Sequence, residues 1–214
     1  MANEITLDQH LKIARCPHCS VDNPNLTTTS HFQTTDDVGS TRRSWRTYVC
    51  ARCGGVVTAS SYSHNNIVTQ IFPAIQQVDA VVPDKVRNFL QQAIDSTFAP
   101  SGSVMLCASA VDAMLKERGY KGGKLYSRIK KAIDDGMLTE DMGKWAHQVR
   151  LDANDERHAD EDSIMPTVEN ARQSIEFAKT LSELLFVLPS KVTRGIAATT
   201  TTTTATTVPP NSSA

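Results

Sequence analysis

The 214-residue chain is 40% apolar, enough to close a core, which excludes a wholly disordered protein. A formal charge of -1 and a pI near 6.6 exclude a globally basic nucleic-acid binder, so any such contact has to be local. The start MANEITLDQH lacks the basic flank and apolar run of a secretory signal, and no stretch approaches the roughly 18 to 20 apolar residues of a membrane span; both point to a cytoplasmic protein with no membrane partner.

Residues 1–75 are poor in helix signals and rich in Thr, Ser and Asn, and short runs such as SWRTYVC and GGVVTAS read as strands, so a small β module is expected here. Within it, CPHC and CARC place Cys16, Cys19, Cys50 and Cys53 in two C-x2-C pairs, the arrangement of a four-thiolate zinc ribbon. Two intervening residues let both sulfurs of one turn reach the same ion at about 2.3 Å, and Gly54 and Gly55 suit the tight turn that follows. Two redox dithiols or two unrelated turns are the alternatives; a redox motif belongs in a thioredoxin-like βαβ pattern, which this sequence lacks. With four thiolates no position is left for water, so the expectation is one structural Zn2+ per chain, with His18 inside the first knuckle not needed as a ligand.

Between the cysteine pairs, Arg42, Arg43 and Arg46 crowd around Trp45, with Tyr48 and Arg52 close by. Guanidinium groups beside aromatics suit phosphate contacts and base stacking, which makes Arg42, Arg43, Trp45 and Arg46 nucleic-acid-binding candidates. The competing reading is that they neutralise the charge of about −2 on a zinc held by four thiolates.

Residues 80–190 change to helical periodicity in five segments, DKVRNFLQQAID, SVMLCASAVDAMLKERG, LYSRIKKAIDDG, EDMGKWAHQVRLDANDERHA and TVENARQSIEFAKTLSELLFVL. Pro83, Gly119, Gly136, Thr139 as N-cap and Pro166 punctuate them. Cys107 falls on the apolar side of the second helix and reads as a small core residue. On the fourth helix Met142, Trp145, Ala146, Val149 and Ala153 cluster toward the core, whereas His147, Arg150, Asn154 and His158 form a polar stripe directed away from it. That stripe is a solvated face, a dimer seam or a ligand surface. Residues 191–214, KVTRGIAATTTTTTATTVPPNSSA, hold almost no large apolar residue after Ile196 and are expected to be a disordered Thr-rich tail.

The order of knuckle, tryptophan-containing linker, second knuckle and helical segments, with ASAVDAMLKERGYKGGKLYSRIKKAIDDGML and WAHQVRLDANDERHAD, resembles the family called domain of unknown function 4145. That family is similar to the HEPN superfamily of helical bundles, which commonly dimerise and often act in RNA cleavage, toxin–antitoxin pairs and antiviral defence. The resemblance implies a mainly α protein: a HEPN-like helical bundle behind a small N-terminal β zinc ribbon, forming a homodimer through the fourth helix. Carried over, the family's arginine, Gly-Asn pair and histidine fall on Arg150, Ala153-Asn154 and His158, with Ala153 where glycine is usual. Catalytic members have an arginine four to six residues before the histidine, followed by a polar residue. Here Ala153 stands before Asn154, and Arg150 lies roughly 12 Å from His158 along the axis at about 1.5 Å per residue. The expectation is therefore binding, of RNA or of a defence-system protein partner. A metal-independent endoribonuclease using His158 with Arg150 and Asn154 across a dimer cleft, or an interaction scaffold without nucleic acid, are the alternatives.

Overall fold

The structure is a computed structural model that describes residues 4–158 and 165–204, with side chains described for 4–154 and 165–199. Its order is β1 (Leu26–Thr35), β2 (Arg42–Cys50), β3 (Val56–Tyr62), β4 (Val68–Phe72), α1 (Asp84–Asp95), α2 (Pro100–Glu117), α3 (Leu125–Asp134), α4 (Glu140–His158), α5 (Val168–Ser182), a wide π turn (Glu183–Val187) and α6 (Leu188–Thr204). The expected class, mainly α with a small N-terminal β sheet, is what the chain adopts. It divides into two compact units, Met1–Gln77 with Gln91–Ser103, and Val78–Leu90 with Val104–Ala214.

In the first unit the four strands form one antiparallel meander in sequence order. Side chains alternate along β2, and Tyr48 and Cys50 turn into a core with Leu7, Leu11, Ile13, Leu26, Val57 and Ala59. Tyr48 satisfies its buried hydroxyl by donating to the Asp8 carbonyl at 2.8 Å. The segment before β1 thus covers one face of the sheet. Only the strands SWRTYVC and GGVVTAS were named from the sequence, as parts of β2 and β3; β1 and β4 are Thr- and Gln-bearing and expose most of their side chains.

In the second unit Val104, Cys107, Val111 and Met114 of α2, Ile129 and Ala132 of α3, Ala146, Val149 and Ala153 of α4, and Ala171, Phe177 and Leu181 of α5 are all buried. Burial pushes the Cys107 thiol up to about 12, so it stays neutral as a core residue. Thr139 caps α4 by accepting from the Met142 amide at 3.2 Å. Thr167 and Asn170 form a reciprocal capping box on α5. Gly143 lets α3 and α4 approach, since a Cβ there would lie 2.2 Å from Ile133 Cδ1.

Two expectations change. Trp145 is not in the core: it is 40% exposed and rests at the rim, its ring 5.0 Å from that of Phe177. Nor does the last helical segment end at Leu188: α6 continues across Pro189 to Thr204. Proline lacks an N–H and its ring collides with the carbonyl four residues earlier; the π turn, in which the Leu188 amide reaches the Glu183 carbonyl, widens the backbone just ahead of it. Every described side chain from Lys191 to Thr199 is nonetheless exposed, and residues 205–214 lie outside the described residues.

Candidate metal centre and anion pocket

The two cysteine turns share one backbone design. In the first, the Ser20 amide donates to the Cys16 carbonyl at 2.9 Å and the Cys16 amide to the Val21 carbonyl at 3.1 Å; in the second, Gly54 donates to Cys50 at 2.8 Å and Cys50 to Gly55 at 3.0 Å. The residue after each second cysteine, Ser20 at φ 53° and Gly54 at φ 70°, takes the left-handed conformation that closes the turn. This repetition aims four sulfurs at one point: all Sγ atoms lie within 4.8 Å of one another, and Cys16 and Cys53 are 4.0 Å apart.

A tetrahedron with metal–sulfur bonds of about 2.3 Å has sulfurs about 3.8 Å apart, so the four thiols suit a single ion. Burial pushes Cys16 upward and Cys19 to about 12; burial also acts on Cys50, but the Cys53 and Arg52 amides outweigh it and bring that thiol down to about 7. Four thiolates this close need a cation between them. His18 points elsewhere, its Nε2–H donating to the Val56 carbonyl at 2.8 Å. Arg15 braces the first turn through the Ser20 carbonyl at 2.9 Å and an ion pair with Asp95 at 3.1 Å.

The arginine candidates on β2 are divided by the pleat. Trp45 and Arg43 share the face opposite Tyr48, whereas Arg42 and Arg46 lie in the alternate, Tyr48 register. The sequence placed these four together as one surface; the strand separates them into two pairs.

In the second unit the polar stripe of α4 turns out to be partly engaged within its own chain. Arg150 and His147 are half-buried against Tyr126 of α3: the guanidinium stands 5.6 Å over the ring and the imidazole 4.9 Å from it. Burial, and then the Arg150 charge, lower the His147 pKa below its usual 6.5, so it is neutral at pH 7. At these two residues the stripe thus meets an exposed ring of its own chain, because Tyr126 offers a surface that a cation and an imidazole can share.

Arg150, Ala153 and Asn154 line one side of a pocket of about 620 Å3 completed by Lys85, Phe89, Asp112, Lys116, Lys124, Tyr126 and Arg128 among others. Asp112 is the one acid among the described residues of this lining, and it is held by Arg128 and by Lys116 at 2.6 Å. Lys85, Lys124 and Arg150 have no acidic partner among the described residues, and the buried Arg150 Nε has no acceptor. Unpaired cations around a cavity attract an anion. Lys85, Lys124 and Tyr126 were not singled out from the sequence; they come from helices that only the fold brings beside α4. His158 ends α4, and its side chain lies outside the described residues.

Among the described residues no helix is long and apolar enough to cross a membrane. Comparison with curated proteins and with solved structures finds no match for this chain. The model of the family described as Domain of unknown function (DUF4145) matches residues 84–199, more than half of the chain and the whole helical segment from α1 to within α6. By that match the chain belongs to the DUF4145 family.

Proposed function

We propose that this protein is a HEPN-like RNA-binding protein in which a structural zinc ion folds the N-terminal module and the α4 pocket receives an RNA phosphate. The observation that carries the reading is the charge of the pocket, where among the described residues Lys85, Lys124 and Arg150 stand without acidic partners and Asp112 is already neutralised. Arg150 can offer a phosphate its free N–H groups while Tyr126 holds its plane. Asn154 adds donors at the same wall. Cys16, Cys19, Cys50 and Cys53 would hold the zinc, which would supply folding energy and no open coordination position.

Pairing of two copies along α4, residence in the cytoplasm and a role in a prokaryotic defence or toxin–antitoxin type system belong to the same reading and rest on the HEPN resemblance. The test is binding of a labelled single-stranded RNA to the zinc-loaded full chain, compared with Arg150→Gln and Lys124→Ala. Each substitution is expected to weaken binding about tenfold and to flatten its salt dependence by about one phosphate contact. Unchanged affinity in both, with the protein folded and one zinc per chain by elemental analysis, would defeat the pocket assignment. Metal-independent cleavage of the RNA that disappears in His158→Ala would replace binding with ribonuclease activity.

A further inference from the structure

The face of the β sheet that turns away from Tyr48 carries a row of aromatic rings drawn from three strands. Phe32 of β1 and Trp45 of β2 are cross-strand partners, with centroids 6.2 Å apart and planes within 7° of parallel; Trp45 and Phe72 of β4 are 6.4 Å apart at 26°. Phe32 is 48% and Phe72 51% exposed, flanking the half-buried indole, whose Nε1–H is already engaged by Thr34 at 2.8 Å. Apolar rings left in water on a folded sheet gain their burial energy only when something covers them.

The charge around these rings says what that something is. β2 contains Arg42, Arg43 and Arg46, and none of the four strands contains an aspartate or glutamate. Arg43 is on the aromatic face, 5.6 Å over the Tyr62 ring and within 3.3 Å of Gln70. Of the acids in the β1–β2 turn, Asp36 is committed to it: the Ser40 hydroxyl and the Thr41 amide bring its carboxyl down to about 2. Arg42 and Arg46 lie on the other face, so a flat aromatic surface with Arg43 at its margin, on strands that contain no acid, is what remains; it matches a polyanion whose own flat groups are exposed, which is single-stranded nucleic acid and not a duplex. One cross-strand row further along the same face, Ser30, Thr47 and Thr58 place three hydroxyls in register, donors and acceptors suited to ribose 2′-hydroxyl groups.

We propose that this sheet face is a stacking platform for single-stranded RNA, with bases on Phe32, Trp45 and Phe72 and a phosphate on Arg43. It rests on the reading of the protein as RNA-binding but uses a different surface from the α4 pocket, so the two are tested separately. The zinc-loaded full chain carrying Trp145→Phe, which leaves Trp45 as the single indole, is titrated with a fluorescein-free single-stranded RNA of about ten nucleotides. RNA is expected to quench Trp45 emission in a saturable way, and the labelled form of the same RNA to bind roughly tenfold more weakly to Phe32→Ala and to Phe72→Ala. Both are exposed positions whose truncation leaves the buried side of the sheet alone. DNA of the same sequence and duplex RNA are expected to bind more weakly. Unchanged RNA affinity in both phenylalanine variants, absence of Trp45 quenching, or equal binding of DNA overturns the proposal. Loss of binding in the sheet variants with none in Arg150→Gln supports the platform while removing the pocket assignment; the reverse pattern removes the platform and keeps the pocket.

Discussion

Gly55→Ala probes whether the second cysteine turn is as tightly fitted as its geometry requires. A Cβ at Gly55 would lie 2.5 Å from His18 Cδ2, 2.6 Å from Cγ and 2.9 Å from Cβ. The exposed imidazole can swing aside, at the cost of its 2.8 Å bond to the Val56 carbonyl, but its Cβ can retreat only if one of the two turns shifts. Overpacking of this kind costs about 1–3 kcal/mol. Loss of the exposed hydrogen bond adds at most about 1 kcal/mol. His18→Ala loses only the bond and removes two of the three close atoms, so the double variant should be less destabilised than the two single variants together, by about 1 kcal/mol. Zinc retention against a chromophoric chelator and hydrogen exchange of the β2–β3 amides measure this in the full chain. A neutral Gly55→Ala, or penalties that add within about 0.5 kcal/mol, would refute the reasoning.

Asp112→Asn should act in opposite directions on stability and on binding: losing the partner of half-buried Arg128 and of Lys116 costs about 1–3 kcal/mol of unfolding free energy, whereas removing the pocket's acid raises RNA affinity several-fold. Acidification should weaken the helical unit through His147, because its folded pKa lies below 6.5: the unfolded chain binds the proton more readily, so this contribution is complete above about pH 6.5 and is lost as pH falls through the folded value. In His147→Gln the slope of stability against pH below 6.5 should flatten; an unchanged slope would remove His147 as its source. Deleting residues 195–214 should leave zinc content and the unfolding midpoint unchanged, since the described side chains from Gly195 to Thr199 are exposed; a clear drop in the midpoint would show that this end of the chain packs on the fold.

What could be read from the sequence was whatever depends on neighbours along the chain. The C-x2-C spacing marks two turns that close by bonds reaching no further than Gly55 and Val21, so the cysteine cluster was visible without a fold. The starts of α1 and α4 were equally local, set by Pro83 and Thr139, and Pro166 marked the start of α5 one residue ahead of its cap, Thr167. Properties that depend on register or on distant segments were hidden. Phe32 and Phe72 gain their meaning from lying on either side of Trp45, which only the pairing of β1 with β2, β2 with β3 and β3 with β4 decides. The same pleat separates Arg43 from Arg42 and Arg46, although all three are crowded in sequence. Helical periodicity set the polar stripe of α4 apart from the apolar face, but it carries no information that Tyr126 on α3 would draw in His147 and Arg150. The fifth segment was ended at Leu188 because a π turn, which accommodates the following Pro189, leaves no periodic signature of its own.

The central claim, that the zinc-loaded chain is an RNA-binding protein, is tested most directly by titrating it with single-stranded RNA at about 50 and about 200 mM salt while following both binding and strand length. The account predicts saturable binding that weakens steeply with salt, as several lysines and arginines release counterions from the backbone, and RNA that stays intact. Binding that is absent at the lower salt, or that is indifferent to salt, would contradict it.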